Sequence, residues 1–360
     1  MRLDVLLLPG DGIGPEVTGQ AVRVLEAAAG PGHDLHVREA TIGGAAIERS
    51  GAPLPGDTRA LALDADAVLL GAVGLPRFDD HPPALRPERG LLDLRRLLGV
   101  YANLRPVRAW PGTEAASPLR ADIVAGTDLV IVRELTSGIY YGTPRGIEEE
   151  APEPHAVNTM RYTRGEIERV ARTAFELARG RRRRVTSVDK ANVLETSRLW
   201  RRTVEEVARE YPEVGLDHLF VDNCAMQLVL GPARFDVVLT ENMFGDILSD
   251  EAAVLAGSIG MLPSASLGGR RATGTRAGLY EPVHGSAPDL AGRGTANPLG
   301  AIGSAAMMLR YSFGLDQEAA RIESAIQTVI AAGVVTADMH PAGRAATTAE
   351  VGSAVCKALS

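Results

Sequence analysis

Short apolar strand patterns interleave with helical ones along most of the chain, and this alternation limits the fold more than any other feature. Residues 4–8 read as a strand. Pro15 then opens a helical pattern that runs to Ala29 and stops at Gly30. Further strands are expected at 66–70, 129–132, 185–188, 219–221 and 237–239. The last three are each followed by a helical pattern. An amphipathic helix is expected over 164–179, with Ile167, Val170, Ala171, Ala174, Phe175 and Ala178 on its apolar face. Two late helices are expected over 299–309 and 317–331. The fold class is therefore α/β. The 360-residue length suggests two domains, with no Ser- or Pro-rich linker and no internal repeat to divide them. The Gly/Pro-rich segment 138–154 fits either a protruding β-arm or an ordinary surface loop.

Composition removes several classes of function. A 45% hydrophobic chain with net charge -7 is not of the disordered type. No apolar run approaches the ~18 residues of a membrane span. The opening stretch is too short for a signal peptide. Two cysteines give no disulfide framework and suit a reducing compartment, so a cytoplasmic location is expected. The acidic balance argues against nucleic acid as a partner. The cations are lopsided. Lys190 and Lys357 are the two lysines among 38 basic residues, so each deserves inspection.

Several local patterns carry possible chemistry. Gly10-Asp11-Gly12-Ile13-Gly14 follows a strand and precedes a helix, but its spacing is not the dinucleotide fingerprint, so a Rossmann assignment is unsupported. The run is either a tight turn or a loop near a ligand. Asp246 and Asp250 stand at i and i+4, on one helical face, and Asp222 follows an apolar strand. These carboxylates are either solvated charge and helix capping or oxygen ligands for Mg²⁺ or Mn²⁺. Ile247 and Leu248 are expected in packing. Lys190 ends a buried strand, and lysine, unlike arginine, can lose its proton there. It is either a base or a chance survivor of the arginine bias. Arg95, Arg105 and Arg133 lie in apolar surroundings and need anionic partners, internal or from a ligand. The run Arg181 to Arg184 reads as a solvated loop.

Taken together, the motifs are specific. The opening Leu8-Pro9-Gly10-Asp11-Gly12-Ile13-Gly14-Pro15-Glu16-Val17 resembles that of the metal-dependent β-decarboxylating dehydrogenases, the isopropylmalate, isocitrate, homoisocitrate and tartrate/malate enzymes. The resemblance continues in order through Gly71-Ala72-Val73-Gly74, Tyr101 to Pro106, Val132-Arg133-Glu134, Asp189 to Asn192, Val221-Asp222-Asn223, Asn242 to Asp250 and Glu281 to Asp289. Arg86 to Arg95 resembles the isopropylmalate branch.

The resemblance implies a two-domain sandwich with a large central mixed sheet, not a Rossmann fold. It implies a discontinuous cofactor-side domain (1–100 plus 257–360) and a substrate, metal and dimerisation domain (101–256). An arm at about 138–160 would lie at the interface of a homodimer. It also implies roles. Arg95, Arg105 and Arg133 would hold a 3-alkylmalate's carboxylates. Asp222, Asp246 and Asp250 would hold Mg²⁺ or Mn²⁺. Lys190 would take the hydroxyl proton as hydride leaves for NAD⁺, and Tyr140 would protonate the carbon that loses CO₂. Lys190 and Asp222 would come from the second subunit, so that the homodimer shares its active sites. Leu91, Leu92 and Val193 would form an apolar wall for the substrate's 3-substituent, with Glu88 nearby. Ile13, Glu281, His284, Gly285, Ser286, Ala287, Asp289 and Asn297 would bind NAD. Asp289 favours NAD over its 2′-phosphorylated form.

Two departures stand out. Residues 268–276 match no motif of the family and read as a variable surface loop. Gly300 and Gly303 sit inside an expected helix, each costing up to ~1 kcal/mol relative to Ala. They mark either close packing or a divergent paralogue acting on another 3-substituted malate, D-malate or tartrate.

Overall fold

The computed structural model describes residues 1–150, 152–270 and 275–359. The expected surface loop 268–276 is corrected in part: residues 268–270 end one strand and Arg276 begins the next, while residues 271–274 lie outside the described residues. In chain order the described strands are β1 (Arg2–Gly10), β2 (Asp34–Glu39), β3 (Ala67–Ala72), β4 (Ala102–Arg108), β5 (Asp128–Glu134), β6 (Arg145–Glu148), β7 (His155–Asn158), β8 (Arg184–Asp189), β9 (Gly215–Phe220), β10 (Val237–Thr240), β11 (Pro263–Arg270) and β12 (Arg276–Pro282). The chain divides into two compact units. The first is Met1–Val100, Ala109–Ala121 and Ala253–Ser360. The second is Tyr101–Arg108 and Asp122–Ala252.

The first unit carries the strand order β2-β1-β3-β12-β11. Its β1/β2, β1/β3 and β3/β12 pairs are parallel, and β11/β12 is antiparallel. Every residue of β3 is buried, as expected for a strand covered on both faces. Helix Gly14–Ala29 packs on β1 and β3, and helix Leu299–Tyr311 packs on β3, β11 and β12. Gly300 and Gly303 are explained here. A Cβ on Gly300 would lie 2.8 Å from the carbonyls of Gly260 and Leu262, and one on Gly303 would lie 3.1 Å from Pro263. The helix therefore runs close against the backbone that leads into β11. Close packing accounts for both glycines.

The second unit carries the order β4-β5-β10-β8-β9. Its β5/β10, β10/β8 and β8/β9 pairs are parallel, with β4 antiparallel to β5. Helix Arg164–Arg179 packs on β5, β8 and β10. It starts with a capping box. The Thr163 hydroxyl accepts from the Glu166 N–H at 3.3 Å, and Glu166 Oε2 accepts from the Thr163 N–H at 2.7 Å. Strands β6 and β7 form a separate two-stranded antiparallel ribbon that is exposed throughout.

Two further expectations are corrected. Arg181 is not a solvated loop residue. It bonds Asp128 and Asp236, each at 2.8 Å, because the Asp236 carboxylate is fully buried and needs a cation. Ile247 is 59% exposed, whereas Leu248 is buried. Packing therefore claims only one of the two residues between the Asp pair.

Candidate active site

In the second unit, helix Asn242–Ala253 presents Asp246 and Asp250 one turn apart. Strands β4 and β5 bring arginines to them. Arg105 lies 3.6 Å from Asp246 and 3.2 Å from Asp250, and it donates to Ser249 Oγ at 2.7 Å and Asn103 Oδ1 at 2.9 Å. Arg133 is buried and donates through Nη1 to Asp246 Oδ1 at 2.5 Å. Its guanidinium lies over the Tyr140 ring, 5.5 Å from the centroid. The Tyr140 hydroxyl donates to the other Asp246 oxygen at 2.8 Å. Desolvation, and then the hydrogen bond to Asp246, push its pKa up to about 12. The phenol therefore keeps its proton through neutral pH. Two cations, two carboxylates and a protonated phenol thus converge on one helix turn.

A second constellation lies where β8 and β9 end. Lys190 Nζ donates to Asp222 Oδ1 at 2.6 Å and stands 5.9 Å from the Phe220 ring centroid. The Lys190 hydrogen bond holds the Asp222 pKa below its usual range. Asp222 itself lies in the first turn of helix Val221–Leu230. Among the described residues no group of three or more His, Cys, Asp or Glu is placed to hold an ion. Asp222 is therefore brought to Lys190, while Asp246 and Asp250 are brought to the arginines. Val193 is 62% exposed.

The first unit holds the remaining expected residues. Arg95 donates to Glu281 Oε1 at 2.7 Å, and both are nearly buried. In helix Pro87–Leu98 the buried positions are Pro87, Gly90, Leu94 and Leu98, and Leu91 and Leu92 stay half-exposed. Glu88 is exposed and lies close to Gly74. The loop after β12 is tied to the chain's opening. The Ile13 N–H donates to the Ser286 carbonyl at 2.8 Å, and Ser286 Oγ donates to the Gly74 carbonyl at 2.6 Å. Gly12 has φ +58°, and a Cβ there would lie 1.9 Å from the Ser286 oxygen, so only glycine fits. The Gly10–Gly14 run thus serves a close backbone approach beside this loop.

Asp11, which no sequence motif assigns a role, accepts from the N–H groups of Gly44, Ala45 and Gly74 at 2.8–2.9 Å. Ala287 has φ +36°, a strained value for a residue with a side chain. Gly285 and Asp289 are exposed. Buried His284 places Nδ1 2.8 Å from the Gly285 carbonyl, so that nitrogen carries the proton, and Nε2 has no hydrogen-bond partner among the described residues. Burial lowers its pKa, so the ring is neutral at pH 7. Asn297 is engaged internally, accepting from the Leu299 N–H and donating to Asp338, each at 3.0 Å.

The donor sets fit the groups expected there. Asp222, Asp246 and Asp250 offer hard oxygens of the kind Mg²⁺ and Mn²⁺ prefer. The orphaned His284 nitrogen offers a buried acceptor to a ligand N–H. No sequence pattern points to Asn242, Ser249 or Asn103 for a role. Asn242 lies in the same run as the Asp pair, but its partner Arg133 is 109 residues away in sequence.

Comparison with known proteins places these features in context. Residues 4–355 match the isocitrate/isopropylmalate dehydrogenase family. The chain is 57% identical over 340 residues to the 3-isopropylmalate dehydrogenase of Geobacillus kaustophilus, covering 94% of this chain and 90% of the relative. It is 55% identical over 343 residues to that of Aquifex aeolicus, covering 95% and 93%. Its structure resembles the isocitrate dehydrogenase of Methylococcus capsulatus with a TM-score of 0.86 at 37% identity, covering 99% of both chains. No helix among the described residues is long and apolar enough to cross a membrane.

Proposed function

The chain belongs to the isocitrate/isopropylmalate dehydrogenase family, and on that premise we propose that it oxidatively decarboxylates (2R,3S)-3-isopropylmalate to 4-methyl-2-oxopentanoate and CO₂, with NAD⁺ and a divalent cation, in cytoplasmic leucine biosynthesis. The observation that carries the reading is identity above 50% over at least nine-tenths of each chain with relatives that bear that activity in their names.

The residues divide the work. Arg95, Arg105 and Arg133 bind the malate carboxylates, each exchanging its internal carboxylate partner for the substrate's. Asp222, Asp246 and Asp250 hold Mg²⁺ or Mn²⁺. His284, Ser286, Asp289 and their neighbours Ile13, Glu281, Gly285, Ala287 and Asn297 hold NAD⁺, and the exposed Asp289 carboxylate disfavours a 2′-phosphate. The chemistry supplied by the bound groups is hydride acceptance and Lewis-acid withdrawal of charge. Lys190, through water, takes the C2 hydroxyl proton. Tyr140 delivers a proton to the carbon that has lost CO₂. Leu91 and Leu92, half-exposed where the helix core does not need them, face the isopropyl group with Val193, and Glu88 lies nearby. The protein works as a homodimer whose ribbon at β6–β7 interlocks the subunits, and each site takes Lys190 and Asp222 from the second copy.

One apolar contact discriminates by only ~1–3 kcal/mol, so related 3-alkylmalates should also react. The test is a substrate panel followed by NADH absorbance. 3-Isopropylmalate should show the highest kcat/KM. Faster turnover of isocitrate or D-malate would sink the assignment.

A further inference from the structure

Asn242 is completely buried at the start of the helix that carries Asp246 and Asp250. Both ends of its amide are in use. Oδ1 accepts from Arg133 Nε at 3.0 Å and from Nη2 at 2.7 Å. Nδ2 donates to the Ser137 carbonyl at 2.9 Å. Ser137 immediately precedes the turn Gly138–Tyr140, so this bond fixes the base from which Tyr140 projects.

Asn242 is itself held from behind. Its backbone N–H donates to the Tyr162 oxygen at 2.9 Å. The Tyr162 hydroxyl donates to Glu241 Oε2 at 2.9 Å, and Glu241 Oε1 accepts from the Phe244 N–H at 2.6 Å. All these groups are buried.

We infer that Asn242 is a positioning residue that holds the Arg133 guanidinium and the Tyr140 turn in one geometry, so that carboxylate binding and proton donation share a single anchor. The inference rests on the roles proposed above for Arg133 and Tyr140. A guanidinium recognises a carboxylate by presenting a fixed edge, and a long arginine side chain has many rotamers. Gripping Nε and Nη2 selects one rotamer and turns Nη1 toward the helix face where Asp246 stands. The grip comes from a neutral amide. A carboxylate at this position would compete with the substrate for the same cation. It would also set an acceptor against the Ser137 carbonyl.

The test compares wild type, Asn242→Ala and the isosteric Asn242→Asp, with folding checked by thermal melting. The substrate is whichever 3-substituted malate the wild type oxidises fastest. A wild type that ignores 3-isopropylmalate therefore overturns the substrate assignment alone. In Asn242→Ala, loss of the charge-assisted hydrogen bonds to Arg133 should raise the malate KM by about 10- to 100-fold and also lower kcat. The KM for NAD⁺ should stay within about twofold, since the cofactor residues lie in the other unit. A purely structural role lowers melting temperature and kcat while leaving both KM values unchanged. That pattern, in either folded variant, overturns the inference. If the alanine variant does not fold, the aspartate variant tests the inference: it keeps an acceptor for Arg133 but competes with the substrate for that cation and loses the Ser137 bond, so the malate KM should again rise with the NAD⁺ KM unchanged.

Discussion

At the residue scale the proposed mechanism divides two proton transfers between Lys190 and Tyr140. Lys190 is one of two lysines in a chain that otherwise uses arginine, and it ends a buried strand against Asp222. Its proposed task needs a proton that can leave, which arginine cannot provide. Lys190→Ala should abolish turnover with the melting curve unchanged. Tyr140→Phe should lower kcat by about 10²- to 10⁴-fold, the range for loss of a general acid, and circular dichroism should match wild type. Retained activity in either variant would remove that residue from the mechanism. The carboxylates, arginines and lysine of the proposed site stand out in the sequence because each sits in a compact motif, whereas Tyr140 enters only through the family resemblance. Asn242 and Asp11 do not stand out. Their importance comes from bonds to Arg133 and to the loops at Gly44 and Gly74, far away along the chain. Arg181 misled for the same reason, since its partner Asp236 lies 55 residues on.

Elements were legible where the apolar period was strong. Helix Arg164–Arg179 appears at its expected bounds because its apolar face is continuous and its capping box marks the start. Strands β2, β4, β11 and β12 are not expected from the sequence. β2 has only Leu35 and Val37 as apolar residues, β4 contains Pro106, β11 is rich in Ser and Gly, and β12 contains Gly278 and ends at Pro282, so none reads as a plain apolar run. Their pairing with neighbouring strands, rather than their own composition, makes them strands. The capping box offers a direct measurement at this scale. Thr163→Ala should cost about 1 kcal/mol of local stability, seen as roughly fivefold faster amide exchange in the helix's first turn. Unchanged exchange there would mean that the tertiary packing of Ile167 and Val170, not the cap, holds the turn.

For the whole molecule, buried ionisable groups set the response to acid. Burial lowers the pKa of His218 and of His284 below the usual 6.5. Below that value the unfolded chain binds protons that the folded protein resists. The stability these neutral rings contribute is therefore present above pH 6.5 and is lost as pH falls through their lowered values. Buried Glu134 and Glu241, whose pKa values burial raises, act with the opposite sign. The histidine share is isolated by comparison with His218→Gln. Its melting temperature should fall less steeply than wild type's between about pH 7 and 5. Parallel curves would show that His218 carries none of the dependence.

The placing of Lys190 with Asp222, and of Tyr140 with Asp246, in separate constellations has a genetic consequence. If each site draws one constellation from each copy, two dead enzymes can mend each other. A hybrid of a Lys190→Ala chain and a Tyr140→Phe chain would contain one site with both lesions and one with neither. Mixing the two inactive proteins after subunit exchange should restore turnover, and co-expressing them should let a leucine-requiring strain grow.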